Sequence, residues 1–177
     1  GQVQVFNSFP IKEGVRKLSS IVGFVFQEPE AQFIFDTVED EIVFALENSS
    51  LSKSIMEKRV DEVLTQLQIH HLRHKRINEI SGGEQQKIAL ASVLVMRPKV
   101  LILDEPTSQL DPQSADEILQ LIISLKTKLN LTVLISEHRL ERLLPYADWM
   151  INFNNEMNFI FGTPQQVLES MKQVPPI

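Results

Sequence analysis

Three short, unbroken apolar runs constrain the fold of this chain more than any other feature of its sequence. They are SSIVGFVFQ at residues 19–27, KVLILDE at residues 99–105 and LTVLISE at residues 131–137. A strand with one face in water alternates apolar and polar residues, whereas an unbroken apolar run is typical of a strand buried on both faces. The three runs therefore predict a parallel sheet that helices cover.

Helix-start signals lie between the apolar runs. Ser54 and Glu57 predict a capping box ahead of apolar residues at helical spacing. Asp111 and Pro112 predict an N-cap and a first-turn proline for a longer amphipathic helix. Because strands and helices alternate along the chain, the sequence indicates an α/β fold.

The middle of the chain carries a different pattern. Residues 29–98 contain no convincing strand, and we interpret them as a helical subdomain inserted into the sheet-bearing core. Residues 1–28 and 99–168 would form that core, and residues 169–177 would form a tail or linker. We therefore predict one domain across residues 1–177.

Composition narrows the classes of function. The chain has 17 basic and 23 acidic side chains, a net charge of −6, which gives no electrostatic case for nucleic acid or an anionic membrane surface. The absence of cysteine excludes disulfides and thiolate metal sites. No apolar run reaches the roughly 18 residues that a membrane-spanning helix needs. We therefore expect any membrane role of this chain to depend on a partner.

The second apolar run ends in two adjacent carboxylates, Asp104 and Glu105. In open α/β sheets, ligands gather at the carboxyl ends of the strands. A carboxylate there can hold Mg²⁺, directly or through water, and its neighbour can orient or deprotonate a water molecule. A solvated turn is the simpler alternative, but the preceding apolar strand and the following loop, residues 108–111, make it the less favoured one.

A pair of glycines lies at another predicted helix start. Ser81 and Glu84 read as a capping box, yet Gly82 and Gly83 lie between them, and each glycine costs roughly 1 kcal/mol in a helix interior. A helix N-terminus offers unpaired N–H groups and partial positive charge, which suit a phosphate. Without side chains at the glycines, a phosphate could reach the amides, and the Ser81 hydroxyl would add a hydrogen bond. For these four residues alone, a plain capping box is the alternative.

Taken in order, these motifs resemble those of the ABC ATPases. ISGGEQQKIALA is similar to the signature motif, and VLILDEP is similar to the Walker B strand. SQLD, which ends at Asp111, resembles the D-loop; Gln27 resembles the Q-loop residue and His138 the switch histidine. The ordered set extends from about residue 1 to residue 168. Within the family, residues 27–48 and SEHRLE are similar to the energy-coupling factor ATPases, which drive uptake of vitamins, vitamin precursors, cobalt or nickel.

The resemblance implies a P-loop NTPase-like α/β fold with a mostly parallel sheet and a helical subdomain, and the cofactors ATP and Mg²⁺. Asp104 would help to coordinate Mg²⁺, Glu105 would polarise the attacking water, and His138 would contact the γ-phosphate. Gln27 would contact the metal or the water, and would relay the nucleotide state to a membrane partner.

The signature motif is expected to act on a second subunit. The resemblance implies that Ser81, Gly82 and Gly83, with Glu84 and Asp111 in the nucleotide-binding set, serve ATP held by the opposite subunit. Because phosphoryl transfer depends on positioning, a site divided in this way makes hydrolysis depend on closure of the dimer. The implied partners are a second ABC ATPase subunit, as homodimer, heterodimer or tandem domain, and an integral membrane component, but no nucleic acid. The implied location is peripheral, at the cytoplasmic face of the cell membrane.

Three consecutive apolar residues, Phe33, Ile34 and Phe35, follow the Q-loop. Three in a row cannot all face inward on a surface helix, so they favour a docking groove for the membrane component. The alternative is that two belong to the core and one is merely exposed.

One family element has no match in this sequence. The Gly-rich P-loop ends in Gly-Lys-Ser/Thr, and none of the six glycines here is followed by such a lysine. In the family the P-loop comes just before a strand that resembles GQVQVF. We therefore expect this chain to be a partial ABC ATPase domain without the P-loop strand and helix, and to be inactive by itself.

Two other interpretations stay open. The first is an ABC ATPase of the DNA-repair or chromosome-maintenance type, although the chain is acidic and has no sustained heptads. The second is a non-catalytic module that only completes a partner's ATP site through residues 81–83.

Overall fold

The computed structural model of the protein describes residues 4–6, 14, 18–47, 49–153 and 159–172. Within these ranges the strands are β1 (Val22–Val25), β2 (Val100–Asp104), β3 (Thr132–Ser136), β4 (Met150–Phe153) and β5 (Phe159–Gly162). The α-helices are α1 (Val38–Phe44), α2 (Lys53–Gln66), α3 (Gly82–Leu94), α4 (Pro112–Leu129) and α5 (Pro164–Lys172). Short 3₁₀ turns join several of these elements.

The three apolar runs form a parallel sheet, as predicted. Its order is β1-β2-β3, with β2 in the centre. Phe24 lies beside Ile102 and Ile102 beside Leu134, so the three strands are in one continuous register. The α/β prediction is therefore confirmed.

In the residues that the structure describes, one face of this sheet is more deeply buried than the other. Val25, Leu101 and Leu103 are fully buried in the core that also contains α3. On the opposite face, Phe24 is 39% exposed and Leu134 is 52% exposed. An unbroken apolar run cannot distinguish the two faces of a strand, because its alternate residues point to opposite sides whatever covers them.

The segment between β1 and β2 is helical in its described residues. These residues form α1, α2 and α3. Among the described residues of this segment, the only β-type pairing is an isolated bridge between Thr37 and Arg76. Arg73 forms ion pairs with Glu39 of α1 and Asp61 of α2. The hydrogen bond from Arg73 lowers the pKa of Glu39. The ion pair between Arg73 and Glu39 is therefore lost only when acid protonates the carboxylate.

Two of the three predicted helix starts agree with the structure. Asp111 caps α4 by accepting from the amides of Gln113 and Ser114, and Pro112 is the first residue of the helix. The hydroxyl of Ser114 lowers the pKa of Asp111. The predicted Ser54 cap is wrong, because α2 begins at Lys53 and Ser52 occupies the cap position without a side-chain hydrogen bond.

The chain divides into two compact units, residues 1–138 and residues 139–177. In the second unit, β4 and β5 form an antiparallel hairpin against which α5 packs. Helix α5 continues past residue 169 to Lys172, into the segment predicted to be a tail or linker, and residues 173–177 lie outside the described part. No helix in the described part of the chain is both long and apolar enough to cross a bilayer.

Gly23 lies close to α3, and its replacement by alanine tests the packing of the sheet against this helix. An added Cβ would lie 2.0 Å from Val93 Cγ1 and 3.3 Å from Pro98 Cγ. We expect Gly23→Ala to lower the free energy of unfolding by about 1–3 kcal/mol, because β1 or α3 must shift. Urea unfolding measures this. Gly82→Ala is the control, because its Cβ would meet only Leu110 Cδ2 at 3.6 Å. Equal stability of the two variants would contradict the prediction.

Candidate active site

The carboxyl ends of β1, β2 and β3 meet at one edge of the parallel sheet. Gln27 follows β1, Asp104 and Glu105 lie at the end of β2, and His138 follows β3. Parallel strands that are in register end on the same side, so side chains widely separated in the sequence become neighbours there. The structure therefore brings together most of the predicted hydrolytic residues.

Glu105 lies between two polar side chains. The Gln27 amide nitrogen Nε2 donates a hydrogen bond of 3.0 Å to Glu105 Oε2. His138 Nε2 lies 2.7 Å from the other carboxylate oxygen, Oε1. The Glu105 side chain is 22% exposed and that of His138 is 83% exposed, so the carboxylate is held from two sides at the mouth of the site. Because Gln27 and His138 both contact this carboxylate, a movement of Glu105 can be transmitted to the loop after β1 and to the loop after β3.

The backbone at Glu105 adopts an unusual conformation. Its φ is 42°, in the left-handed region that residues other than glycine seldom occupy. The Glu105 amide donates to the Ser136 carbonyl at 3.2 Å and to the Ser136 hydroxyl at 3.0 Å. These bonds to β3 hold the turn in place, and such strain is typical of functional sites.

Asp104 is exposed and is held by the same serine. Ser136 Oγ donates a hydrogen bond of 2.6 Å to Asp104 Oδ1. Nearby, Thr107 Oγ1 donates one of 2.6 Å to Glu137 Oε2. The Ser136–Asp104 bond therefore joins the ends of β2 and β3, and the Thr107–Glu137 bond joins the loops that follow them. Ser136 is the first residue of the SEHRLE motif, but the motif gave it no role, because that role follows from its position opposite Asp104 in the neighbouring strand.

The start of α3 forms the predicted capping box. Ser81 Oγ accepts from the Glu84 amide, and Glu84 Oε2 accepts from the amide and the hydroxyl of Ser81. The hydrogen bond from the Ser81 amide is the main cause of the lowered pKa of Glu84. The carboxylate at this helix start is therefore held in its charged form.

Neither glycine of the pair is required by its own chain. An added Cβ at Gly82 would come no closer than 3.6 Å to Leu110, and one at Gly83 no closer than 3.4 Å to Ser114. Among the described glycines, only Gly14 has a positive φ. Packing and backbone conformation would both tolerate alanine at residues 82 and 83, so no described residue requires glycine at either position.

Gln27 and the start of α3 border one cavity of about 310 Å³. Gly82 lies in its wall, and so does Leu110 of the loop that precedes α4. The buried side chain of Gln86 also lines the cavity, and its Nε2 has no hydrogen-bond partner among the described residues. The Q-loop-like, signature-like and D-loop-like segments of one chain therefore adjoin one another.

The strand-end carboxylates suit Mg²⁺ by their chemistry. Magnesium prefers hard oxygen ligands and keeps much of its water shell, and the exposed carboxylate of Asp104 offers such an oxygen. In the described part of the chain, no group of three or more His, Cys, Asp or Glu side chains could hold a metal by itself. The arrangement fits a Mg²⁺ ion that is bound mainly by phosphate and water, with one protein carboxylate beside it.

Comparison with known proteins settles the family. Residues 1–108 match the family model described as ABC transporter. The chain belongs to the ABC transporter family. This finding confirms the resemblance that the signature-like and Walker B-like motifs indicated.

Named relatives agree with this membership. An ABC transporter ATP-binding protein of Bacillus cereus is 43% identical over 153 residues, which cover 86% of this chain and 28% of the relative. One from Pyrococcus abyssi is 40% identical over 161 residues, which cover 91% of this chain and 58% of the relative. The chain thus spans only part of the length of these relatives.

Solved structures share the fold of this ABC family member. CbiO1 of Clostridium perfringens, part of the ABC transporter complex CbiONQ, is 34% identical with a TM-score of 0.86, over 97% of this chain and 69% of CbiO1. A metal-chelate-type ABC transporter in an inward-facing conformation is 29% identical with a TM-score of 0.75, over 84% of this chain and 60% of that one.

An alanine at residue 82 fits the structure, so its effects on stability and on ATP hydrolysis can be predicted separately. Gly82→Ala should leave the free energy of unfolding unchanged or slightly raised, because alanine fits and favours the helix. If a phosphate approaches this amide, the same methyl group should lower ATP hydrolysis by the full-length gene product by about a hundredfold, since small misplacements are costly in phosphoryl transfer. Urea unfolding and phosphate release measure the two effects. Wild-type hydrolysis in this variant would show that nothing approaches residue 82.

Proposed function

We propose that this chain is the ATP-hydrolysing part of an importer of the energy-coupling factor type. The observation that carries the proposal is the position of Glu105 between Gln27 and His138 at the carboxyl edge of the sheet. Similarity to CbiO1, itself part of a transporter complex, supports the coupling-factor assignment. The cargo would be a vitamin, a vitamin precursor or a metal ion.

Each residue at the sheet edge has a proposed role. Asp104 would hold Mg²⁺ through its water shell, and bound Mg²⁺ would neutralise charge on the phosphates. Glu105 polarises the attacking water, and His138 orients Glu105 and contacts the γ-phosphate. Gln27 bonds Glu105 on its other side, so it senses the state of the site and relays it to the loop that follows β1.

The start of α3 is the part of the chain that would serve a second subunit. Ser81, Gly82 and Gly83 act on ATP that a second ABC ATPase subunit holds, with Glu84 and Asp111 supporting that contact. The room for a Cβ at this backbone supports the proposal, because no described residue requires glycine there. The second subunit is an identical chain, a different one or a tandem domain.

The membrane component would bind beside the Q-loop, which places the protein peripherally at the cytoplasmic face. Glu41, itself buried, accepts from the amides of Ile34 and Phe35 at 2.8 and 2.9 Å and so fixes this loop. Phe35 is partly covered by Phe44, with ring centroids 5.1 Å apart, whereas Ile34 is 67% exposed. Phe33 packs against the core. The docking surface therefore centres on Ile34.

Nucleotide binding provides the first test. The 177 residues contain no Gly-Lys-Ser/Thr, so we expect this chain alone to bind MgATP more weakly than about 1 mM by calorimetry. In the full-length gene product, Glu105→Gln should bind ATP and hydrolyse it at least about a hundredfold more slowly, because the water loses its base. Glu117→Gln on the exposed side of α4 is the matched control.

Two outcomes would contradict the hydrolytic assignment. A micromolar dissociation constant of the 177-residue chain for MgATP would mean that the chain binds ATP without a P-loop. Undiminished hydrolysis by the Glu105→Gln variant would remove Glu105 from the reaction. If the full-length gene product binds no ATP at all but stimulates hydrolysis by a second ABC ATPase, the chain is instead a module that completes a partner's site.

The docking surface provides the second test. Ile34→Glu should weaken assembly with the membrane component by about tenfold or more, because a charge would enter an apolar contact, while ATP affinity stays unchanged. Ile34 is preferable to Phe35 for this test because Phe35 also packs against Phe44. The matched control is Ile55→Glu on α2, where the side chain is 47% exposed. Co-purification with the membrane component and transport assays measure the effect. If the Ile34→Glu variant assembles as the wild-type protein does, the membrane component binds elsewhere.

A further inference from the structure

We propose that Ser136 is a positioning residue of the hydrolytic site, and that its hydroxyl holds Asp104 and Glu105 in their working arrangement. The inference rests on the proposed function. Ser136 is the last residue of β3 and lies directly opposite Asp104 in the register of the parallel sheet. Its hydroxyl contacts both members of the carboxylate pair. Ser136 is the first residue of SEHRLE, but the resemblance of that motif gave it no role.

The hydroxyl of Ser136 acts as donor and acceptor at once. It donates to Asp104 Oδ1 at 2.6 Å and accepts from the Glu105 amide at 3.0 Å. A hydroxyl has one hydrogen and two lone pairs, so each bond fixes the direction of the other. One hydroxyl of the neighbouring strand therefore contacts both the carboxylate of Asp104 and the amide of Glu105, and the Ser136 carbonyl also accepts from that amide at 3.2 Å.

The two residues need such a hold for different reasons. Asp104 is exposed at the end of a strand, where its carboxylate could rotate away into water. Glu105 has a φ of 42°, which must be stabilised by its surroundings. Ser136 is itself exposed, so water could satisfy its hydroxyl, and burial does not explain why the hydroxyl is directed at Asp104.

A second bond between these two parts of the chain supplies a matched comparison. Thr107 Oγ1 donates to Glu137 Oε2 at 2.6 Å, the same length as the bond from Ser136 to Asp104. It joins the loop after β2 to the residue after β3, but it contacts neither strand-end carboxylate. Loss of either bond should loosen the connection between these two parts of the chain, and only loss of the Ser136 bond should disturb the metal-binding carboxylate.

Three changes at residue 136 separate the hydroxyl from the volume of the side chain. Ser136→Thr keeps the hydroxyl and adds a methyl group, Ser136→Val has the shape of threonine without the hydroxyl, and Ser136→Ala removes the hydroxyl without adding bulk. Thr107→Val is the control for loosened loops. Each variant is made in the full-length gene product, and both hydrolysis and ATP binding by calorimetry are measured over a range of Mg²⁺ concentrations.

We expect Ser136→Val and Ser136→Ala to raise the half-saturating Mg²⁺ concentration and lower kcat, each by about 10- to 100-fold, as is typical when the support of a metal ligand is lost. ATP affinity measured in EDTA should stay at the wild-type value, because the hydroxyl acts through Asp104. Ser136→Thr should restore the wild-type Mg²⁺ requirement. Thr107→Val should lower the melting temperature and leave that requirement unchanged.

The outcomes distinguish this inference from the proposed function. If the wild-type protein hydrolyses ATP and the valine and alanine variants keep its Mg²⁺ requirement and kcat, the inference is overturned and the proposed function stands. If the threonine variant is as impaired as the valine variant, or if Thr107→Val raises the Mg²⁺ requirement equally, the effect is structural and the inference is also overturned. If the wild-type protein hydrolyses no ATP under any condition, the proposed function fails and the inference fails with it.

Discussion

The parallel pairing of β2 with β1 on one side and β3 on the other is the interaction on which the rest of the site depends. Asp104 lies beside Ser136 only because the register aligns the ends of β2 and β3. A shift of one residue would send each side chain to the opposite face of the sheet. Burial of Leu101 and Leu103 against the core prevents such a shift, so the apolar packing of β2 also positions the two carboxylates at its end.

Gly23 differs from the pair Gly82 and Gly83 in whether the chain itself requires a glycine. The packing of the chain itself requires glycine at residue 23, because α3 approaches so closely that an added Cβ would overlap Val93. Gly82 and Gly83 have room for a methyl group in their own chain, so any requirement for them comes from outside. Sequence alone does not separate these cases, because a glycine looks the same whether its neighbour belongs to the same chain or to another molecule.

The parts of the fold that local sequence determines were predictable. The three strands, the Asp111 cap and the Ser81–Glu84 capping box each follow from a few adjacent residues. The exposed face of the sheet and the role of Ser136 were not predictable in this way, because both depend on which elements lie beside a strand. The predicted capping box at Ser54 is absent because α2 begins one residue earlier, at Lys53.

The capping box at the start of α3 leaves part of the first helix turn unused. The capping box uses the amides of Ser81 and Glu84. The first amides of a helix have no partner within the helix, and the box does not include those of Gly82 and Gly83. These two amides belong to the residues without side chains. The carboxylate of Glu84 balances the helix dipole while no anion is present. An arriving phosphate would therefore find its donors at the glycines without breaking the bonds that hold the helix start.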